Sequence, residues 1–195
     1  METPVPIRAR ILDAAEVRFR QFGYNKTTMA EIAADCDMSA ANLYRYFENK
    51  LDIGANLSDR CLAEEERRLR TITECKDLSS AAQLEQFILA VLHRTHELWS
   101  EQPRISEMVE AITGQRKALV VRHMESKQSM LRRLLEHGNR SGEFAVMDPG
   151  ATAEAIRVAI TLLDIPTFMH LYPLQEFERL AKNVVQLILL GVLKR

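Results

Sequence analysis

Glycine and proline are scarce in this chain of 195 residues, which contains seven glycines and six prolines. An all-β fold needs many turns, and these two residue types serve most of them, so the shortage favours helices. The longest apolar run, residues 187–193, is far shorter than the roughly 20 residues that span a bilayer. No basic segment followed by an apolar one opens the chain, and we therefore expect a cytoplasmic protein without a membrane partner.

The chain also lacks an excess of one charge sign, since it contains 26 basic and 27 acidic residues. Residues 1–50 carry seven of each kind. Bulk charge thus indicates no partner, and any DNA-binding interpretation depends on where individual charges lie. The three cysteines, Cys36, Cys61 and Cys75, are odd in number and lack metal-type spacing, which fits a reducing compartment. They are either buried, inert thiols or a redox switch.

Apolar residues recur every three or four positions along most of the chain, and this spacing predicts helices. We count nine helices and no convincing strand, which predicts an all-α fold. The expected organisation is a three-helix domain over residues 1–50 and a larger helical domain over residues 51–195. The last two helices are expected from about residue 149 to 165 and from about residue 173 to 193, with Asp148-Pro149 beginning the first of them.

Two short helices joined by a tight turn are predicted between residues 28 and 47. Thr28 and Glu31 have the spacing of a capping box, which begins the first of these helices. Ser39 has the position of an N-cap for the second, after a turn at residues 36–38. This is a helix-turn-helix arrangement, in which the second helix enters the major groove of DNA.

The side chains expected on the outer surface of this motif suit DNA. Threonine hydroxyls stand at a helix start, where a phosphate is favoured, and tyrosines can donate to phosphates. Asn42 can pair with an adenine edge, and Arg45 can reach backbone or base. The candidate DNA-binding residues are Thr27, Thr28, Ser39, Ala40, Ala41, Asn42, Tyr44, Arg45, Tyr46 and Lys50. The alternative is a three-helix module that packs without touching DNA, with half-buried tyrosines and a solvated Lys50.

The run Thr27-Thr-Met-x-x-Ile-Ala33, followed by Met38-Ser-x-x-x-Leu-Tyr-x-Tyr-Phe-x-x-Lys50, resembles the N-terminal signature of the TetR family of regulators. The resemblance covers about residues 7–55. It implies phosphate contacts for Thr27, Thr28, Tyr44, Tyr46 and Lys50, and positions facing phosphates and base edges for residues 39–42 and Arg45. Asp37 and Ala41 stand where the family often has glycine.

The resemblance also implies a function for the whole chain. It implies a homodimeric repressor that binds a palindromic DNA operator and is released by a small-molecule effector bound in the second domain. The fourth helix, capped by Asn49, is expected to transmit the effector's signal by changing the separation of the two recognition helices.

The last helix is apolar on all sides, which is unusual for a helix at the edge of a monomer. We expect the last two helices to pair across a two-fold axis as a four-helix interface. The alternative is that both helices lie in the core of one subunit. The expected interface residues are Ile156, Ile160, Leu163, Val184, Leu187, Ile188 and Val192. Two-fold symmetry suits operator half-sites about one helical turn apart.

An effector pocket is expected among aromatic, methionine and histidine side chains of the larger domain, although each also suits an ordinary core position. The candidates are Phe87, His96, Trp99, Met108, His123, Met124 and Phe168. His93, His96 and His123 lack the cysteine or carboxylate that would complete a metal site, so we expect no metal and no cofactor.

Catalytic motifs are absent from the sequence: it has no nucleophile elbow, no glycine-rich phosphate loop and no His-Glu-x-x-His run. We therefore expect a regulator and not an enzyme. The competing interpretation is a helical adaptor whose DNA-binding module has lost its function, and a helical enzyme comes third.

Overall fold

The structure, a computed structural model, describes residues 6–101 and 104–193. These residues form nine α-helices and two short 3₁₀ helices, which confirms the predicted all-helical fold. The α-helices are α1 (Ile7–Phe22), α2 (Met29–Asp35), α3 (Ala40–Leu43), α4 (Lys50–Thr73), α5 (Ser80–Glu101), α6 (Ile105–Gln115), α7 (Lys117–Ser141), α8 (Pro149–Ala159) and α9 (Leu174–Val192).

The short helices begin at the capping residues that the sequence indicated. The hydroxyl of Thr28 accepts a hydrogen bond from the amide of Glu31 at 3.3 Å. The carboxylate of Glu31 accepts one from the amide of Thr28 at 2.8 Å, which completes the capping box. Ser39 caps α3 by accepting from the amide of Asn42 at 3.2 Å. Each cap satisfies an amide that the helix cannot pair internally.

The chain divides into two compact units. The N-terminal unit combines Met1–Cys61 with Ser100–Val120, and the C-terminal unit combines Leu62–Trp99 with Val121–Arg195. The N-terminal unit is therefore larger than the domain predicted over residues 1–50, because it also contains the first part of α4 and all of α6.

The core of the N-terminal unit is built on the apolar stripe of α1. Its central residues are buried, whereas the end positions Ile7 and Phe22 are exposed. Ile32 of α2, Leu43 of α3 and Phe47, which follows α3, are buried in the same cluster. The set of buried residues is Ile11, Ala15, Phe19, Tyr24, Met29, Ile32, Ala33, Cys36, Leu43, Phe47, Ile53 and Leu57. Burial of this apolar surface is what holds α2 and α3 at their crossing angle.

The core of the C-terminal unit draws on α4, α5, α7, α8 and α9. Here α8 is shorter than expected, because it ends at Ala159 and not near residue 165. Two 3₁₀ helices follow it, Thr161–Leu163 and Pro166–Phe168. Pro166 is the first residue of the second 3₁₀ helix, and Ile165 before it is extended, as expected of a residue that precedes proline.

The described helices include none that is both long enough and apolar enough to cross a membrane.

Candidate nucleic-acid interface

The turn between α2 and α3 adopts a left-handed conformation at one residue. Asp37 has φ +55°, in the region that glycine enters most easily. Aspartate tolerates this conformation better than most side chains. The amide of Met38 then donates to the carbonyl of Ala33 at 3.0 Å and closes the turn. Asp37 thus supplies the geometry that glycine often supplies in the family that the motif resembles.

One face of α3 and of the turn after it is open, and the opposite face is buried. Ser39, Ala41, Tyr44 and Arg45 are exposed, and the phenol-bearing side chain of Tyr44 is 53% exposed. The remaining candidates Ala40, Asn42 and Tyr46 are half-buried. Leu43 and Phe47 lie in the core. This arrangement presents hydroxyl, guanidinium and methyl groups on one surface, which is the chemistry needed at a DNA groove.

Arg8 supports this surface from α1, a role that the sequence did not indicate. Its guanidinium donates to the carbonyl of Tyr46 at 2.6 Å and stacks 4.3 Å from the centre of the Phe47 ring. A single arginine in an amphipathic helix carries no signal of such a contact, because its partner lies 38 residues away.

Two carboxylates near the turn are paired with a cation. Arg18 donates to both oxygens of Asp35, and its guanidinium lies 3.5 Å from the carboxylate of Glu31. The hydrogen bond from Arg18 keeps the pKa of Asp35 below its usual range. Pairing of these carboxylates reduces the repulsion that they would exert on a phosphate backbone.

The two threonines before α2 have different environments. Thr28 is exposed at the helix start, whereas Thr27 is 2% exposed. The hydroxyl of Thr27 donates to the carbonyl of Gly23 at 2.9 Å. The structure therefore places the Thr27 hydroxyl inside the unit, where it stabilises the loop after α1, and leaves Thr28 on the surface.

The ammonium group of Lys50 contacts backbone carbonyls of its own unit. Its ammonium donates to the carbonyls of Tyr24 at 2.7 Å, Thr27 at 2.9 Å and Asn25 at 3.1 Å. It lies 4.6 Å from the centre of the Tyr24 ring, and burial lowers the pKa of Lys50. An ammonium has three N–H donors, and the three carbonyls account for all of them.

The candidate effector-binding residues belong to different units and have different environments. Met108 packs against the core of the N-terminal unit, whereas the other six belong to the C-terminal unit. Within that unit Phe87 is fully buried in the core, Met124 is exposed, and Phe168 lies in the second 3₁₀ helix. His96 stacks on Trp99 with the ring centres 5.7 Å apart.

A buried charged cluster in the C-terminal unit includes His123 and was not foreseen. The ammonium of Lys127 lies 2.5 and 2.6 Å from the two carboxylate oxygens of Asp164 and 3.4 Å from Glu65. His123 contacts Glu66 at 2.8 Å and Glu65 at 3.6 Å. Lys127 is only 3% exposed. The cluster ties α4 and α7 to the segment between the two 3₁₀ helices.

The charges in this cluster depend on one another. Burial acts against the charge of Lys127, but the carboxylates of Asp164 and Glu65 outweigh it and raise the pKa of Lys127. Burial would also raise the pKa of Glu65, yet Lys127 and His123 lower it to about 2. A sequence signal did exist, because His123, Lys127 and Met130 share the spacing of one helix face.

The histidines considered for a metal site have other partners. His93 contacts the carboxylate of Glu178 at 2.8 Å, and His96 stacks on Trp99. In the described ranges, no group of three or more histidine, cysteine, aspartate or glutamate side chains is placed to hold a metal ion.

Four residues of the expected dimer interface lie in the core of the C-terminal unit. Ile156, Ile160, Leu163 and Val192 are each at most 5% exposed, so side chains of their own subunit cover them. Helical periodicity shows that a face is apolar but not whether its own subunit or a partner covers it. In α9, Val192 is buried and Val184 and Ile188 are half-buried, whereas Leu187 is 72% exposed.

Comparisons with known proteins agree with this architecture. The model of the TetR family of bacterial regulatory proteins matches residues 11–54, and that of the tetracycline repressor-like C-terminal domain matches residues 80–185. YhgD, an uncharacterized HTH-type transcriptional regulator of Bacillus subtilis (strain 168), is 27% identical over 150 residues, which are 73% of this chain and 74% of that protein.

Three solved structures of two proteins show the same fold over nearly the whole chain. A protein from Mesorhizobium loti MAFF303099, assigned to the TetR family of transcriptional regulators, has a TM-score of 0.76 at 17% identity and covers 99% of this chain and 100% of its own. SmeT, the repressor of the Stenotrophomonas maltophilia multidrug efflux pump SmeDEF, has a TM-score of 0.68 at 19% identity. The match covers 96% of this chain and 90% of the SmeT chain. SmeT has also been solved in complex with triclosan, with a TM-score of 0.67 at 20% identity, and that match covers 97% of this chain and 93% of the SmeT chain.

The helix-turn-helix geometry and the matches to both family models lead to the same conclusion. The chain belongs to the TetR family of bacterial regulatory proteins, and it is a DNA-binding transcriptional regulator and not an enzyme.

Proposed function

We propose that this regulator is a homodimeric repressor that binds a palindromic operator and releases it when a small molecule binds to its C-terminal unit. The observation that carries the proposal is the exposed face of Ser39, Ala41, Tyr44 and Arg45, backed by the buried Leu43 and Phe47. An exposed face at the start of a recognition helix is the part of such a motif that reads bases. SmeT, a repressor of similar fold that also binds triclosan, supports the repressor and effector parts of the proposal.

Exposed apolar residues support the homodimer. On α8 and the turn after it, Ala151, Ala155, Val158 and Leu162 are exposed at the spacing of one helix face. On α9, Leu187 is 72% exposed and Leu190 is 71% exposed. Large apolar side chains exposed in a row mark interaction sites more often than free surface. We propose this outer face as the dimer interface, in place of the inner residues of α8.

The DNA-binding part is tested by selection from a random duplex library with the full-length protein. We expect recovery of a palindromic site, as the two-fold symmetry of a dimer requires. Arg45→Ala and Tyr44→Ala should each weaken binding to the recovered duplex by about ten- to a hundredfold, because each removes a contact to phosphate or base. Arg132→Ala, an exposed arginine of the C-terminal unit, is the matched control and should bind like the wild type. No enrichment at physiological salt would favour the adaptor interpretation.

The dimer is tested by sedimentation of Leu187→Glu. A buried, unpaired carboxylate is costly, so this variant should be monomeric at concentrations where the wild type is a dimer. Met147→Glu introduces the same charge at a side chain that is 102% exposed, and it should leave the dimer intact. A dimeric Leu187→Glu protein would show that the interface lies elsewhere.

The effector part is tested by native mass spectrometry of the purified protein, followed by binding of the recovered duplex with and without any retained molecule. A ligand can shift binding only if it has different affinities for the two states of the protein. We expect the ligand-bound dimer to bind the duplex more weakly. Equal affinity of the bound and free forms would contradict release by an effector.

A further inference from the structure

The loop that joins α1 to α2, residues 23–28, sets the position at which the helix-turn-helix begins. Thr28 at its end caps α2, so any displacement of the loop displaces the whole motif. The loop begins at Gly23 with φ +90° and ψ 157°, a conformation open almost solely to glycine. A segment of this kind needs contacts beyond its own sequence to keep a single geometry.

Three side chains hold the backbone of this loop and of the residue before it. Lys50 donates to the carbonyls of Tyr24, Asn25 and Thr27, as described above. The carboxylate of Glu107 accepts from the amide of Asn25 at 2.8 Å. The guanidinium of Arg104 donates to the carbonyl of Phe22 at 2.5 Å. We refer to Lys50, Arg104 and Glu107 as the loop clamp. These are hydrogen bonds to charged groups, the stronger class of such bonds.

Gly23 provides the space that the clamp occupies. A Cβ atom at this position would lie 2.7 Å from Cδ of Arg104 and 3.1 Å from the carboxylate of Glu107. The two side chains thus pass directly over the glycine, in the room left by its missing side chain. The conformation of the loop and the position of α6 therefore depend on each other.

The helix that carries the clamp residue Glu107, α6, packs against the same core as the helix-turn-helix. Met108 and Ala111 contact the core cluster of the N-terminal unit, and Ile112 is buried. A Cβ atom at Gly54 of α4 would lie 3.6 Å from Ile112. Arg104 directly precedes α6 and Glu107 lies in its first turn, so the apolar contacts of this helix hold both side chains in place.

We infer that Arg104 and Glu107 are positioning residues for DNA binding, and that Lys50 acts with them on the loop and not as a contact to phosphate. Arg104 and Glu107 lie 82 residues from their loop partners and outside the segment that matches the family's DNA-binding domain. The inference deepens the proposed function, because it adds residues of α6 to those that set operator affinity.

The sign of the effect separates the clamp from simple electrostatics. Glu107 is an acid in the DNA-binding unit, and loss of a negative charge by itself strengthens binding to DNA. If Glu107 positions the loop, Glu107→Ala weakens binding instead. Glu110→Ala removes the same charge from an exposed position of the same helix and controls for the electrostatic effect. Glu107→Gln keeps an oxygen that can accept from Asn25, and it should restore binding.

The test uses full-length variants and the duplex recovered with the wild-type protein. We expect Glu107→Ala and Arg104→Ala to bind this duplex about tenfold more weakly, with Glu107→Gln and Glu110→Ala close to the wild type. The dependence of log K on log salt should keep its wild-type slope in both weakened variants. Lys50→Met should also weaken binding at an unchanged slope, whereas loss of a true phosphate contact lowers the slope by about one per subunit.

Hydrogen exchange provides a readout that does not depend on DNA. In Glu107→Ala, the amide of Asn25 should exchange faster while the midpoint of thermal unfolding stays near that of the wild type. Unchanged exchange, or duplex affinity equal to that of Glu110→Ala, would overturn the role of Glu107. A lower salt slope in Lys50→Met would overturn the role of Lys50. If the wild type binds no duplex, the proposed operator binding is contradicted. Hydrogen exchange of the Asn25 amide then tests by itself whether the clamp holds the loop.

Discussion

The two units of this regulator use polar side chains in different ways. In the N-terminal unit, polar groups such as Thr28 and Ser39 terminate helices at the surface and bond to amides three residues away. In the C-terminal unit, Lys127 is buried and pairs with Glu65 and Asp164, which are 62 and 37 residues distant. A lost cap is partly replaced by water, but a buried charge that loses its partner has no substitute. Loss of a polar side chain should therefore cost far more at this buried cluster than at a helix cap.

The largest effect is expected from Lys127→Met. Removal of the lysine ammonium leaves the carboxylates of Asp164 and Glu65 buried without their cation. Loss of one partner from such a pair typically lowers the free energy of unfolding by about 3–5 kcal/mol. Urea unfolding at neutral pH measures the change. Lys182→Met, an exposed lysine of α9, is the control and should change stability by less than about 0.5 kcal/mol. Equal stability of the two variants would show that the buried cluster contributes nothing.

The pH dependence of Lys127→Met provides a second check. Without the lysine, burial raises the pKa of both carboxyl groups above the values in the unfolded chain. The folded state then binds protons more tightly, so this stability is present below the unfolded pKa and is lost as the pH rises through the raised folded pKa. The difference from the wild type should therefore shrink as the pH is lowered from neutral through the raised folded pKa. A difference that is constant with pH would rule out unpaired carboxylates as its cause.

An intermediate effect is expected from Gly23→Ala in the N-terminal unit. Alanine is strained at φ +90°, and its Cβ would lie 2.7 Å from Arg104. Such a conformation costs a non-glycine residue about 1–3 kcal/mol. Gly114→Ala provides the contrast, because Gly114 lies within α6 with no atom within 4 Å of a Cβ there. Thermal unfolding should show a loss for the first variant and a small gain for the second.

The smallest effect is expected from Thr28→Ala, which removes the cap of α2. Loss of an N-cap hydroxyl typically costs about 1 kcal/mol. Thr28→Ser keeps the hydroxyl and should be close to the wild type in urea unfolding. If Thr28→Ala cost as much as Lys127→Met, the contrast between surface caps and buried charges would be wrong.

The same contrast explains how much the sequence could predict. Capping boxes, N-caps and apolar periodicity are local patterns, and they predicted the nine helices and the turn at Asp37 correctly. The position of the candidate DNA-binding surface on α3 follows from the same patterns, because Leu43 and Phe47 had to face inward for the motif to pack.

The sequence did not predict contacts between segments that are far apart in the chain. The carbonyl partners of Lys50 were not foreseen, because they lie more than 20 residues earlier in a loop whose course the sequence does not specify. Ile156 and Ile160 were expected at an interface because an apolar stripe does not reveal which neighbour covers it. The end of α8 at Ala159 was not foreseen, because the apolar pattern continues beyond it and Pro166 is compatible with a helix that extends to about residue 165.

The most direct test of the account is a fluorescence anisotropy titration of the full-length protein at physiological salt. It compares the duplex recovered by selection with a scrambled duplex of the same length and composition. A regulator that reads bases through the face around Arg45 should bind the selected duplex at least about 10³-fold more tightly. Equal affinity for the two duplexes would contradict the specific DNA recognition on which the account rests.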